Sequence, residues 1–257
     1  MTVRKLVLGT VLLVVAGAVA VSLSLLGSQS ASAAPVTPSI SPDSMSTVET
    51  VNGDALPVRE FELFLAQDRA ETFAYYQQRG ISDSAHFWTT AYDGETPTVY
   101  LKCAALADAT NALVQQVLGT KYGVVSGFSY AGFLTAWQAQ NVSRASAVAA
   151  GQVIYGPTSY SEKDYFTYVS QQISEHLQTT LTAKGVIKVT DAALQSYYAA
   201  HESQFTGSVA GPVSFSQMKK VVQEYYVQAA YTALVAQQTK QAAVHITPSV
   251  LAAITIS

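Results

Sequence analysis

The chain has 257 residues, 49% of them hydrophobic and 12% charged, a balance that excludes an intrinsically disordered protein. Its formal charge is −3, and beyond residue 33 only 12 basic side chains stand against 17 acidic ones. That excludes the concentrated basic surface a nucleic-acid backbone requires, and a single cysteine rules out any disulfide within the chain.

Residues 1–33 read as an export segment. Arg4 and Lys5 form a short basic start, and Leu6 to Leu26 then runs 21 residues without a charge. Ala31-Ser32-Ala33 follows as an A-x-A pattern, the small-residue spacing a signal peptidase reads. Cleavage after Ala33 is favoured over cleavage after Ala34, which would leave Pro35 first. About 20 apolar residues also suffice for a retained membrane anchor, and either outcome places the remainder outside the cytoplasm, secreted or held at the cell envelope. No cysteine follows the apolar run, so lipid attachment of the bacterial lipoprotein kind is excluded. Residues 34–46 carry three prolines, four serines and one charge, a composition that reads as a tether, with the fold beginning near Thr47.

Thr47-Val48-Glu49-Thr50-Val51 predicts a short strand ending in a turn at Asn52-Gly53. Pro57 suits the first turn of a helix. From Val58 to Gln78, Phe61, Phe64, Leu65, Phe73 and Tyr76 recur at roughly helical spacing, and Gly80 closes that helix. Asp83 to Gly94, with His86-Phe87-Trp88 and Tyr92, is predicted irregular. A second long helix fits Thr96 to Lys121 and ends at Gly123. Ser129 caps a third, from Tyr130 through about Ala150, and Gly156-Pro157 marks a break. Ser161 to Asp164 has capping-box form. The stripe Phe166, Val169, Ile173, Leu177 and Leu181 follows it, and Gly185 stops the helix. Val186 to Val189 reads as a brief extended link. Thr190 then caps a short helix over DAALQSYYAAHESQF. Ser214-Phe215-Ser216-Gln217 opens a long helix to about Ala243, and Val244 to Thr247 reads as a terminal strand suited to pair with residues 47–51. The expected fold is mainly α: six helices, with one or two short strands joining the N- and C-terminal ends.

No catalytic constellation is present: no H-E-x-x-H, G-x-S-x-G, P-loop or strand-led G-x-G-x-x-G. His86, His176, His201 and His245 lie far apart without ligand spacing, so neither a metal nor another cofactor is expected. Cys103 falls where the second helix should pack, which favours a buried structural thiol. Asn141-Val142-Ser143 matches a glycosylation sequon. The positive feature is aromatic, with fifteen tyrosines, nine phenylalanines and two tryptophans. These rings either finish the border of a helical core or line a groove. In the second reading Phe87, Trp88, Tyr92, Trp137, Tyr155 and Tyr160 grip extended peptide with little sequence preference.

The order of segments carries a resemblance. Val51-Asn52-Gly53-Asp54 followed by Arg59-Glu60-Phe61 resembles the start of the SurA/PrsA-like extracytoplasmic foldases. Val189-Thr190-Asp191 with Leu194, Tyr197-Tyr198 and Phe205 is similar to the helix that in that family precedes a parvulin-type prolyl isomerase domain. Phe215 to Ala243 and Val244-His245-Ile246 resemble the long helix and strand that follow it. Pro57 stands where the family often has Ser or Thr, and His201 where Asn or Lys is usual. Nine residues separate Phe205 from Phe215, far short of the roughly one hundred a domain needs. The isomerase is therefore missing from the pattern, and its catalytic residues have no counterparts here. The resemblance implies a helical chaperone module over residues 47–257 that holds unfolded or newly exported polypeptides without catalysis. An isomerase-related foldase with residual activity and a structural or adhesion module of the envelope are the alternatives.

Overall fold

In the computed structural model, residues 39–206 and 214–256 are described; the expected export segment, its cleavage residues Ala33 and Ala34, and part of the 205–215 junction lie outside them. The described residues form three strands and eight helices: β1 (Thr47–Val51), β2 (Asp54–Pro57), α1 (Val58–Gln77), α2 (Pro97–Tyr122), α3 (Tyr130–Ala149), α4 (Glu162–Ala183), α5 (Asp191–Ala200), α6 (Glu202–Thr206), α7 (Phe215–Gln241), β3 (Val244–Ile246) and α8 (Pro248–Ala253). The mainly α expectation holds. No helix among the described residues is long and apolar enough to cross a membrane.

The strands form one antiparallel sheet in the order β2-β1-β3. β1 pairs with β3 as the sequence suggested, Glu49 opposite Ile246 and Val51 opposite Val244. β2 was not foreseen, because Asp-Ala-Leu-Pro has little strand preference of its own; the turn at Asn52-Gly53 folds it onto β1. Pro57 is accordingly not in the first helical turn. It is the last residue of β2 and sits in extended conformation before α1. The count of six helices also falls short, since α6 and α8 are single short segments below the reach of periodicity.

Local cap chemistry sets the longer helices. Thr96 Oγ1 accepts from the Val99 N–H, Ser129 from Gly132, Ser161 from Asp164 and Thr190 from Ala193, each satisfying an N–H left free at a helix start. Gly123 ends α2 in the left-handed region, φ 76°, where a side chain would be strained. His201 breaks the expected helix over 191–205 into two. Its N–H bonds the carbonyls of Tyr197 and Tyr198, and its ring stacks on Tyr197 at 4.1 Å. Val186 to Val189 join no strand.

The main core lies between the sheet and α1, α2, α4 and α7, with Phe61, Leu101, Leu177 and Leu181 fully enclosed. A satellite core of Leu194, Phe205 and Val222 joins α5 and α6 to the start of α7. The ordered packing begins earlier than Thr47. Ile40 packs on the main core and its N–H bonds the Ala253 carbonyl at 3.0 Å, and the Ser44 carbonyl accepts from the Arg59 N–H. One apolar side chain among the Pro and Ser residues was enough to tie residues 40–46 down.

Cys103 is exposed, against expectation. Leu101, Ala105 and Ala109 make the buried face of α2, and position 103 lies about 200° around the helix from 101. Shielding by neighbouring atoms and the Glu95 carboxylate raise its thiol pKa, so it remains protonated and poorly nucleophilic.

Candidate functional site

The six aromatic residues singled out in the sequence fall into two separate sets. Phe87, Trp88 and Tyr92 gather at the end of α1 and the start of α2. Phe73 stacks on Phe87 at 4.7 Å and meets Trp88 edge-on at 4.9 Å, Phe87 and Trp88 contact at 5.0 Å, and Tyr92 leans on Tyr76 at 5.6 Å. Arg69 lies over the Trp88 ring at 4.5 Å. Phe87 is 1% exposed, so it packs inside the protein, whereas Trp88 and Tyr92 keep part of their surface. Their ring surroundings pass through Phe73 and Tyr76, which the helical spacing placed on α1, and through Tyr75 and Tyr100, which the sequence did not single out.

Trp137, Tyr155 and Tyr160 belong to the arm made by α3, the following loop and α4. Only Tyr130 and Phe133 of α3 are buried; beyond its first turn the helix stands largely in solvent. A polar clasp along one face of α3 holds the loop. Trp137 Nε1 and Asn141 Nδ2 both donate to the Tyr160 carbonyl at 2.9 Å, and the Tyr160 N–H returns a bond to Asn141 Oδ1 at 2.8 Å. Arg144 donates to the carbonyls of Pro157 and Tyr155 and lies over the Tyr160 ring. Positions 137, 141 and 144 share a helix face because they are four and three residues apart. The clasp also occupies the Asn141 amide, the acceptor atom of the sequon. Replacing Trp137 by Phe removes one donor to a partly buried carbonyl, and the urea midpoint should drop by an amount equivalent to about 1 kcal/mol. Faster protease nicking between residues 153 and 159 should accompany it, and unchanged nicking would show that the clasp does not restrain the loop.

With its backbone held, the loop presents apolar side chains outward. Tyr155 is 89% exposed, Val153 83% and Val142 67%, with Val148 and Tyr168 close to half exposed. No ring contact joins this arm to the Trp88 set among the described residues, so the predicted residues make two surfaces. Tyr160 does extend one of them, leaning on Tyr165 at 5.6 Å and stacking on Tyr168 at 5.8 Å.

The arm is fastened at its foot by charge. Arg59 of α1 donates to Glu162 through Nε at 3.0 Å and through Nη2 at 2.7 Å, and the Tyr130 hydroxyl donates to the same carboxylate. Burial alone would raise the Glu162 pKa, but these donors outweigh it and hold the carboxyl below its ordinary value. Three other carboxyls, all among the core elements, lack such support. Burial lifts Glu49 to about 7, against a hydrogen bond from Thr110. It lifts Asp68 to about 7, with Asp108 and Glu71 adding like charge, and Glu60 to about 8.

Together these features define a mainly helical protein with a small sheet and an apolar arm. The chain is 25% identical over 175 residues to the chaperone for lacto-N-biosidase of Bifidobacterium longum subsp. longum, an alignment covering 68% of this chain and 62% of that protein. The chain thus spans less than two thirds of that relative's length. No family model and no solved structure matches it.

Proposed function

We propose that the chain is an exported, non-catalytic chaperone that binds extended, apolar-rich stretches of client polypeptide. The observation that carries this reading is the number of exposed Val and Tyr side chains that the α3–α4 arm gathers, since apolar surface left in solvent in one region marks an interaction site. The similarity to a protein named as a chaperone supports it, and so does the SurA/PrsA-like order of segments without an isomerase domain. Clients that lose chain entropy on binding should be held with modest affinity. The relative's name makes a lacto-N-biosidase the first client to try.

The test dilutes a chemically denatured glycosidase into buffer with and without the purified protein, following light scattering and recovered activity. Suppressed aggregation at near-stoichiometric protein is the expected result. No suppression across several clients would sink the reading and favour an envelope structural module.

A further inference from the structure

A cleft of about 610 Å³ lies between β2, the first turn of α1, the later part of α2 and the foot of α3, a size suited to a short stretch of ligand. Two independent features of its walls indicate what it takes. Among the described residues β2 is an edge strand, paired with β1 alone, and its exposed residues Asp54 and Ala55 line the cleft. A free strand edge offers a row of backbone donors and acceptors that matches another extended chain. The second feature is polar. Glu60 and Gln116 also line the cleft, 1% and 6% exposed. Among the described residues, neither carboxyl oxygen of Glu60, nor Gln116 Oε1, has a hydrogen-bond partner. The Gln116 amide is near enough to offset part of the burial effect on Glu60, yet makes no bond of proper geometry.

Buried polar groups of this kind are normally paired; burial keeps Glu60 protonated in the free protein, and a cation arriving there would displace that proton and leave three acceptors for a group rich in donors. A guanidinium carries five and an ammonium three, with no acceptor to clash. The charged residues lining the cleft are Asp54, Glu60 and Lys121, one cation against two carboxyls, and the chain beyond residue 33 carries a net −5, from 12 basic and 17 acidic residues, which complements a basic partner.

We propose that this cleft seats the client: an extended polypeptide segment adds to the edge of β2 and delivers an arginine or lysine side chain to Glu60 and Gln116. The assignment rests on the chaperone reading above and adds to the exposed arm a second contact at the foot of α3. β2 gives register through backbone pairing, while the Glu60–Gln116 pair selects one basic position within an otherwise apolar stretch.

Fluorescence anisotropy with the purified full chain tests this. The probe is a fluorescein-labelled peptide of alternating valine and serine with one central arginine. Two counterparts carry citrulline in place of arginine, or N-methyl groups on alternate backbone nitrogens. Wild type should bind the arginine peptide about tenfold more tightly than either counterpart, since a lost charge-assisted bond is worth about that much. Glu60→Gln keeps the shape of the side chain, and circular dichroism verifies its fold; it should bind the arginine and citrulline peptides alike. Gln116→Leu should shrink the preference severalfold. A retained arginine preference in Glu60→Gln, or full binding of the N-methylated peptide, would overturn the cleft assignment. If wild type prevents client aggregation yet shows no preference among the peptides, the cleft assignment falls and the chaperone reading stands. If it neither holds client nor binds peptide, both fall.

Discussion

Between pH 5 and pH 7 the thermal midpoint should drop by about 12–24 °C, counting about 2–4 °C per kcal/mol for a domain of this size. Glu49, Glu60 and Asp68 have folded pKa values of about 7, 8 and 7, against ordinary values of 4.5, 4.5 and 3.8. In each case the folded protein holds a proton that the unfolded chain has released across this window. Stability is therefore fully present below the unfolded pKa and lost as the pH climbs through the folded one. Each carboxyl supplies about 2 kcal/mol of the change between pH 5 and 7, and the sum is comparable with the whole stability of an ordinary domain. Burial also raises Asp108 and Glu62, which adds in the same direction. Glu162 acts oppositely but only at more acid pH, where its depressed pKa is crossed. Glu60→Gln removes the ionisation and should flatten the slope by about a third, gaining roughly 2 kcal/mol at pH 8. A midpoint that is level from pH 5 to pH 8 would contradict the burial of these groups.

Glu162→Ala should destabilise the protein by about 2–3 kcal/mol at pH 7, a figure reduced from that of a fully buried pair because the two side chains remain 29% and 16% exposed. The substitution strips Arg59 of both charge-assisted bonds, leaving it only the exposed Asp43 carboxylate at 3.6 Å. It also orphans the Tyr130 hydroxyl. Because Glu162 starts α4 and Tyr130 starts α3, the loss should free the arm from α1, and client holding should weaken together with stability. A double-mutant cycle with Tyr130→Phe should return a coupling of at least about 1 kcal/mol. A Glu162→Ala variant within about 0.5 kcal/mol of wild type would show that the arm is secured by packing alone.

The long helices were legible because their signals are local. Thr96, Ser129, Ser161 and Thr190 act on backbone groups three residues away, so their chemistry can be read without knowing the fold. β2 has no such local signature and exists through its partner β1. Ile40 was hidden for a related reason, since a polar, proline-rich surrounding says nothing about one side chain that finds the core. Cys103 is different: its position two residues from Leu101 already put it on the far side of α2. For the aromatic site, residue type was readable but companionship was not. Trp88 and Trp137 look equivalent in sequence. One is packed beneath Arg69, and the other uses its indole N–H to restrain a loop. Glu60 gave no signal at all, because a glutamate in a first helical turn usually faces solvent.

The closure of the sheet has a temporal consequence. β1 pairs with β3 across nearly two hundred residues, Thr247 bonds the Val48 carbonyl, and Lys102 grips the carbonyls of Leu251 and Ile254. A ribosome delivering the chain would thus release α1 and α2 long before the segment that completes their sheet. Until residues 244–254 emerge, β1 has one open flank, and such late, distant pairing slows maturation. The chain would thus spend much of its own synthesis with a strand exposed.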